Sequence, residues 1–284
     1  MRVLDMKQAT YTESFDWLTK HGRRVRLSTD RFVSLANDSL VGVRVRVEAL
    51  DGSAEAQVTM RSGDGRQLDV GGDPNDPRRS RNLPEGSVRA VMARPVENGW
   101  ATCVQTAVSG IKLAVVSQFL PASLGVVTTA DGAGARSTAS RVIRPGEPLV
   151  IDRLTSYQLG ASDAEAGDLV SAAFAACLPG SYDVAFAAHV SAVESLWAAC
   201  DIVVGSTPAE QQAIRFAVFQ LIQSGASTRA GIAAKGVSSN GYEGHYFWDT
   251  EMFMVPFWQH TDPVRARKLL QFRHRQLPVA RGWA

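Results

Sequence analysis

The residues best suited to chemistry are concentrated in one short segment, SNGYEGHYFWDTEMFMVP at positions 239–256. It holds five aromatic residues, one histidine and three carboxylates, whereas the rest of the chain is rich in Ala, Val and Arg. A ligand with apolar faces and hydroxyl edges, such as a sugar, packs against aromatic rings and donates hydrogen bonds to carboxylates. Trp248 and Asp249 are adjacent and offer both functions, and His245 adds a donor or an acceptor.

The same segment also suits a purely structural role. Aromatic residues beside methionine and valine commonly form a core. We expect this of Phe247 and Phe253 within the segment and of Phe257 and Trp258 directly after it. Glu251 would then stabilise a helix N-terminus. Composition alone therefore favours structure over binding, and a decision needs the longer pattern around the segment.

The overall composition excludes several classes of function. The chain has 284 residues, of which 45% are hydrophobic and 20% charged, and a net charge of +2, so there is no electrostatic case for nucleic acid or an anionic membrane. Three widely spaced cysteines imply neither a disulfide framework nor a zinc site. The N-terminus has no apolar signal core, and no apolar run is long enough to span a bilayer. We expect a reduced, cytoplasmic protein without a metal or cofactor.

The first half of the chain has the alternation of antiparallel β-strands. In VGVRVRVEAL, Val41, Val43, Val45 and Val47 share one face, and Asp51-Gly52 then signals a hairpin. Further strand-like runs and turns follow: RRVRLS, RFVSLA, AEAQVTMRS, WATCVQTAV, IKLAVVSQF and LVIDRLTSYQL, with turns at 131–136 and 144–148 and a polar loop at 71–82. Many strands with short turns and no intervening helix predict a β-sandwich.

The second half has helical patterns. SDAEAGDLVSAAFAAC and SYDVAFAAHVSAVESLWAAC predict two helices. Thr207 as N-cap, with Pro208 and Glu210, predicts a capped helix over 208–224 whose apolar face comprises Ile214, Ala217, Val218 and Leu221. A short helix is predicted from Thr250 to Trp258. Another is predicted to follow Asp262-Pro263, with Asp262 as the cap and Pro263 in the first helical turn.

A longer ordered pattern surrounds Trp248 and Asp249. The string GYEGHYFWDTE precedes Pro256, Asp262-Pro263, Ala266-Arg267, Leu269-Leu270, Phe272-Arg273 and Ala280-Arg281, and LDM, Phe15-Asp16-Trp17 and RFVSLA stand near the N-terminus. Together these motifs closely resemble glycoside hydrolase family 65, which contains inverting phosphorylases for maltose, trehalose, kojibiose and nigerose and some hydrolases. The resemblance covers essentially the whole chain, more weakly at residues 100–200.

The resemblance implies the architecture and the binding residues. It implies a multidomain β + α protein with an antiparallel β-sandwich, a helical linker and an (α/α)6-barrel, of which this sequence holds the first helices. We expect the β-sandwich at residues 1–160, the linker at 161–204 and the start of an incomplete barrel at 205–284. In the family the Trp-Asp pair binds the sugar in the cleaved subsite, so Trp248 and Asp249 are the expected substrate-binding residues.

The resemblance also implies a mechanism. Inverting cleavage needs an acid for the leaving oxygen and a nucleophile on the opposite face of the sugar. In phosphorolysis that nucleophile is inorganic phosphate, a co-substrate, and the products are β-glucose 1-phosphate and a free sugar. The family's general-acid glutamate lies downstream, beyond residue 284, so we assign no catalytic residue and expect the 284-residue chain alone to be inactive. Glu243 and Glu251 receive no acid role, and Glu251 is expected to support the pocket.

Three functional hypotheses remain open at this point. The leading one is a phosphorylase of an α-linked glucose disaccharide, with that disaccharide and phosphate as partners and possible homodimerisation of the full-length enzyme. The second is a family hydrolase of trehalose or a related α-glucoside. The third is a non-catalytic sugar-binding fragment.

Overall fold

The computed structural model describes residues 1–62, 86–131, 134–177, 181–205, 207–225, 231–236, 242 and 245–283. The chain divides into two compact units, the first formed by residues 1–66 and 84–192 and the second by residues 67–83 and 193–284. The predicted polar loop at 71–82 lies outside the described residues.

The first unit is rich in β-strands and the second is helical. The strands are β1 Arg2–Asp5, β2 Thr10–Leu18, β3 Arg24–Val33, β4 Leu40–Ala49, β5 Ala54–Ser62, β6 Val88–Val96, β7 Gly99–Thr106, β8 Lys112–Leu120, β9 Val127–Asp131, β10 Gly134–Ile143 and β11 Leu149–Gly160. The helices are α1 Ala166–Cys177, α2 Tyr182–Cys200, α3 Pro208–Ser224, α4 Val255–Thr261, α5 Pro263–Arg275 and α6 Leu277–Trp283, with a 3₁₀ turn at Ala122–Leu124 and a π-helical turn at Thr250–Met254.

Two antiparallel sheets form the first unit. One has eight strands in the order β1-β2-β3-β4-β11-β8-β7-β6, and the other has three in the order β5-β10-β9. A buried cluster joins Val25, Phe119 and Ile151 of the larger sheet to Ala139 and Ile143 of the smaller one. The predicted antiparallel β-sandwich is therefore confirmed, and its core lies between the two sheets.

The strand β4 contains the predicted Val41–Val47 alternation, but the hairpin predicted at Asp51-Gly52 is wrong. β4 pairs with β3 and β11, whereas β5 pairs with β10 in the other sheet. The Asp51 carboxylate accepts a hydrogen bond of 3.0 Å from the Arg24 amide, and Gly52 has a φ of +54°. The turn residues therefore redirect the chain between sheets, a choice that depends on which distant strands are available for pairing.

The helix α1 covers the face of the larger sheet opposite the sandwich core. Its residues Val170 and Ala173 are buried against Ala101, Ala114 and Val116 of β7 and β8. Small residues on both surfaces allow the helix to approach the sheet closely. The sheet is thus covered on both faces around β7 and β8, which explains why consecutive residues are buried in both strands, at 100–103 in β7 and at 116–119 in β8.

A fully buried histidine lies within the first unit. The His189 Nδ1 accepts a hydrogen bond of 3.1 Å from the Leu35 amide, and its Nε2 lies 2.9 Å from the Gln8 carbonyl oxygen. The ring also stacks on Phe32, with centroids 4.9 Å apart. Because a carbonyl oxygen only accepts, Nε2 carries the proton and the neutral ring satisfies both contacts.

Acidification is expected to destabilise the first unit through His189. Burial lowers the pKa of His189, although the hydrogen bonds to the Gln8 and Ala9 carbonyl oxygens oppose that change. The unfolded chain takes up this proton near pH ~6.5, so the stabilisation is complete above that pH and is lost as the pH falls toward the folded-state pKa. The urea unfolding midpoint should decline between pH 7 and pH 5 and should decline less in His189→Gln. An identical decline in the variant would contradict this assignment.

The second unit begins within α2 and continues through capped helices. Thr207 and Glu210 form the predicted capping box, and α3 covers the predicted span from residue 208 to 224. Its buried face is formed by Val218, Phe219 and Ile222, so the predicted face is shifted by about one residue. The Asp262 carboxylate caps α5 by accepting from the Arg265 amide at 3.0 Å.

Within the described ranges no single helix is long and apolar enough to cross a membrane; α1 and α2 reach that length and hydropathy only as a bent pair.

Candidate sugar-binding site

Trp248 and Asp249 lie immediately before the π-helical turn that leads into α4. The Trp248 carbonyl oxygen accepts from the Met252 amide at 2.9 Å, and the Asp249 backbone is already helical. A π-helical turn is uncommon and often occurs at functional sites. The sequence predicted a helix from Thr250 to Trp258, and the structure confirms helical backbone there while adding the wider first turn.

A second backbone segment, residues 231–236, runs beside this turn and anchors it. The Thr250 hydroxyl is buried and donates a hydrogen bond of 3.0 Å to the Ile232 carbonyl oxygen. The Ala234 amide donates to the His245 carbonyl oxygen at 3.2 Å. Residues on both sides of the Trp248-Asp249 pair are therefore fixed by hydrogen bonds to one neighbouring segment.

His245 closes a local turn with Tyr242. Its amide and its Nδ1 lie 2.9 Å and 2.8 Å from the Tyr242 carbonyl oxygen, so Nδ1 carries the proton. Tyr242 has a φ of +59°, a conformation that is uncommon for a non-glycine residue. One ring nitrogen of His245 therefore has a structural role, and Nε2 makes no hydrogen bond to the residues that the structure describes.

Glu251 forms a bidentate ion pair with Arg273 of α5. The Arg273 Nε lies 2.9 Å from Glu251 Oε1 and its Nη2 lies 3.0 Å from Oε2. Hydrogen bonding to this carboxylate raises the pKa of Arg273 above its ordinary value, so the guanidinium stays charged. The pairing agrees with the expected supporting role of Glu251, which stays a prediction. Glu243 lies outside the described residues.

The aromatic residues divide into exposed and buried groups. Trp248 is 71% exposed, Phe253 70% and Phe247 44%, whereas Trp258 is fully buried and Phe257 partly buried. The predicted core position is thus correct for Trp258 but wrong for Phe247 and Phe253. Successive helical residues turn by roughly 100°, so Phe253 faces away from the side that buries Val255.

The site therefore presents a large aromatic surface beside a carboxylate. The Trp248 ring and the Asp249 side chain are both exposed, while the backbone that carries them is anchored. This arrangement can pack against the apolar face of a sugar and accept hydrogen bonds from its hydroxyl groups. Among the residues that the structure describes, no group of three or more His, Cys, Asp or Glu side chains could hold a metal ion.

Comparisons with protein families agree with this geometry. Residues 1–196 match the glycosyl hydrolase family 65 N-terminal domain, and residues 215–284 match the glycosyl hydrolase family 65 central catalytic domain. The chain therefore belongs to glycosyl hydrolase family 65.

Similar proteins support the same family and fold. An uncharacterized glycosyl hydrolase of Mycobacterium tuberculosis and a kojibiose phosphorylase of Halothermothrix orenii are each 30% identical over 99% of this chain and 36% of their own length. A solved structure of a protein from the human microbiome, named as a proposed kojibiose phosphorylase, matches 98% of this chain and 35% of its own, with a TM-score of 0.85 and 19% identity. The chain spans about a third of the length of the curated relatives it matches.

Sequence reasoning did not identify three of the anchoring groups. These are the Thr250 hydroxyl, the Ile232 carbonyl oxygen and the Arg273 guanidinium. Arg273 is part of the family-like pattern after residue 262. That pattern indicated that the residue matters, but it did not indicate which residues Arg273 contacts. The Ile232 contact uses a backbone atom, so no side-chain pattern could indicate it.

Proposed function

We propose that this chain belongs to an enzyme that cleaves an α-linked glucose disaccharide by inverting phosphorolysis. The products would be β-glucose 1-phosphate and a free sugar. The observation that carries the proposal is the exposed Trp248-Asp249 pair on an anchored backbone, in a chain that belongs to family 65. The similarity to a kojibiose phosphorylase supports phosphorolysis as the reaction.

In this proposal the two residues bind the glucosyl unit on the non-reducing side of the cleaved bond. The Trp248 indole packs against the sugar face, and the Asp249 carboxylate accepts hydrogen bonds from hydroxyl groups. A phosphate oxygen forms the new bond to the anomeric carbon from the face opposite the leaving group. The glycosidic carbon–oxygen bond breaks, and the leaving oxygen takes a proton from a general acid. We place neither that acid nor the phosphate site among residues 1–284.

Hydrolysis is the second candidate reaction. The similarity to a protein named as a glycosyl hydrolase favours it, at the same identity as the phosphorylase. In hydrolysis a water molecule activated by a second carboxylate takes the place of phosphate. The role of Trp248 and Asp249 is the same in both reactions, because each requires a bound glucosyl unit. A sugar-binding fragment without turnover would use the pair in the same way.

The reaction is tested in the protein as expressed from its gene. It is incubated with kojibiose, trehalose, maltose or nigerose, with and without inorganic phosphate, and the products are followed by ³¹P and ¹H NMR. Phosphorolysis predicts β-glucose 1-phosphate from one of these sugars, only when phosphate is present. Glucose release at the same rate without phosphate would identify a hydrolase. Saturable binding without any product would favour the non-catalytic alternative.

A further inference from the structure

Beside Trp248, the guanidinium of Arg273 donates hydrogen bonds to two acceptor groups, the Glu251 carboxylate and the Phe247 carbonyl oxygen. Besides its bidentate pairing with Glu251, Arg273 donates from Nη2 to the Phe247 carbonyl oxygen at 2.9 Å. The Cζ of its guanidinium also lies 5.6 Å from the centroid of the Trp248 ring. We refer to Arg273, the Glu251 carboxylate and the Phe247 carbonyl oxygen as the Arg273 clamp.

The Arg273 clamp holds residues that lie before and after the Trp248-Asp249 pair in the sequence. Phe247 immediately precedes Trp248, and Glu251 follows Asp249 by two residues, so one guanidinium joins both ends of the short segment. The cation also faces the Trp248 ring at a distance typical of cation–π contacts. The backbone and the ring orientation are therefore constrained before a ligand arrives.

The geometry needs the planar fork of arginine rather than a positive charge alone. Nε and Nη2 contact the two carboxylate oxygens, and Nη2 also reaches the carbonyl oxygen. Lysine presents one ammonium group on a flexible chain and does not reproduce a bidentate pair together with the third contact. Only 34% of the Arg273 side chain and 18% of the Glu251 side chain are exposed, so water screens the pair only in part.

An ordinary ion pair between two helices would stabilise the fold without altering ligand binding. The Arg273 clamp differs because two of its contacts, to the Phe247 carbonyl oxygen and the Trp248 ring, involve the binding segment itself. Preorganised binding groups lose less freedom when a ligand binds. If Arg273 has a positioning role, replacing it therefore weakens sugar binding even where the helix content is unchanged.

We propose that Arg273 is a positioning residue for the glucosyl-binding pair, acting through Glu251, the Phe247 carbonyl oxygen and the Trp248 ring. This inference rests on the proposed function for its ligand but on the observed contacts for its mechanism. Without the planar guanidinium of Arg273, residues 247–251 are free to rotate. Trp248 and Asp249 are then no longer held in positions from which both can contact the same sugar. The effect falls on sugar binding in both the ground state and the transition state, so the KM for the disaccharide rises more than kcat changes.

The test compares Arg273→Lys and Glu251→Gln with Arg275→Lys, an exposed arginine on the same helix that lies outside the family-like pattern. In an active enzyme, Arg273→Lys should raise the KM for the disaccharide roughly tenfold to hundredfold, and Arg275→Lys should leave it unchanged. The Glu251→Gln variant keeps the side-chain shape and should also raise the KM for the disaccharide. It decides the question if Arg273→Lys fails to fold. A KM within twofold of wild type in both clamp variants overturns the proposal.

A second readout separates this proposal from the proposed function. Acrylamide quenching of Trp248 is obtained as the difference between each protein and its Trp248→Phe counterpart. If wild type cleaves none of the sugars, the proposed function fails and this readout alone decides. Faster quenching of Trp248 in Arg273→Lys than in Arg275→Lys then supports the Arg273 clamp, and equal quenching overturns it.

Discussion

Asp249→Asn, made in the protein as expressed from its gene, is expected to lower kcat/KM for the α-glucoside by roughly 10²- to 10³-fold. Hydrogen bonds to a charged group each contribute about 1.5–3 kcal/mol, and a sugar offers adjacent hydroxyl groups to one carboxylate. Asparagine keeps the shape of the side chain but removes the charge and one acceptor. The backbone around Asp249 is anchored through Thr250 and Arg273, so the variant should fold normally. Steady-state kinetics and far-UV circular dichroism check the two statements.

The matched control is Glu194→Gln, an exposed carboxylate on α2 within the second unit. It makes the same chemical change away from the candidate site and should leave kcat/KM within about twofold, as expected for a surface substitution. If Asp249→Asn retained kcat/KM at the level of this control, Asp249 would not be a sugar ligand.

The largest expected loss of stability in the second unit comes from Trp258→Ala. Trp258 is fully buried, and the Cζ of Arg265 lies 4.7 Å from the centroid of its ring. The ring is also so close to Gly225 that a Cβ at that position would come within 2.6 Å of it. Removing this side chain leaves a large cavity and should cost about 3–5 kcal/mol. Hydrogen exchange of α4 and α5 measures the loss locally, as faster exchange of both helices.

Trp258→Phe is the conservative comparison. Its indole Nε1 is buried and has no hydrogen-bond partner in the described part of the chain, so phenylalanine removes an unsatisfied donor along with some contact area. We expect a loss of about 1 kcal/mol, well below that of alanine. Equal exchange rates in the two variants would show that the packed area of the ring does not stabilise these helices.

The sequence predicted local structure well where neighbouring residues determine it. The capped start of α3 at Thr207 and the N-cap of α5 at Asp262 depend on side chains within three residues of each helix start. Both were predicted and both are confirmed. The alternation along β4 likewise indicated a strand, and the structure has one at Leu40–Ala49. Its buried residues nevertheless lie on both faces, with Leu40 and Gly42 on one face and Val45 and Ala49 on the other.

Features that depend on distant partners were not predictable in the same way. The turn at Asp51-Gly52 resembles a hairpin locally, but β5 pairs with β10, which is far along the chain. Phe253 has the residue type of a core position, yet its side of the helix is exposed. The role of Arg273 depends on contacts with residues 22 and 26 positions away, so no local pattern could reveal it.

The measurement that tests the central claim most directly is the intrinsic fluorescence of the protein during titration with a glucose disaccharide. The chain has six tryptophans, and we propose that Trp248 is the one that contacts the sugar. We expect a saturable change in fluorescence in wild type that disappears in Trp248→Phe, where the other five rings remain, and that weakens strongly in Asp249→Asn. A change of the same size and midpoint in Trp248→Phe would contradict this assignment, because the sugar would then bind elsewhere.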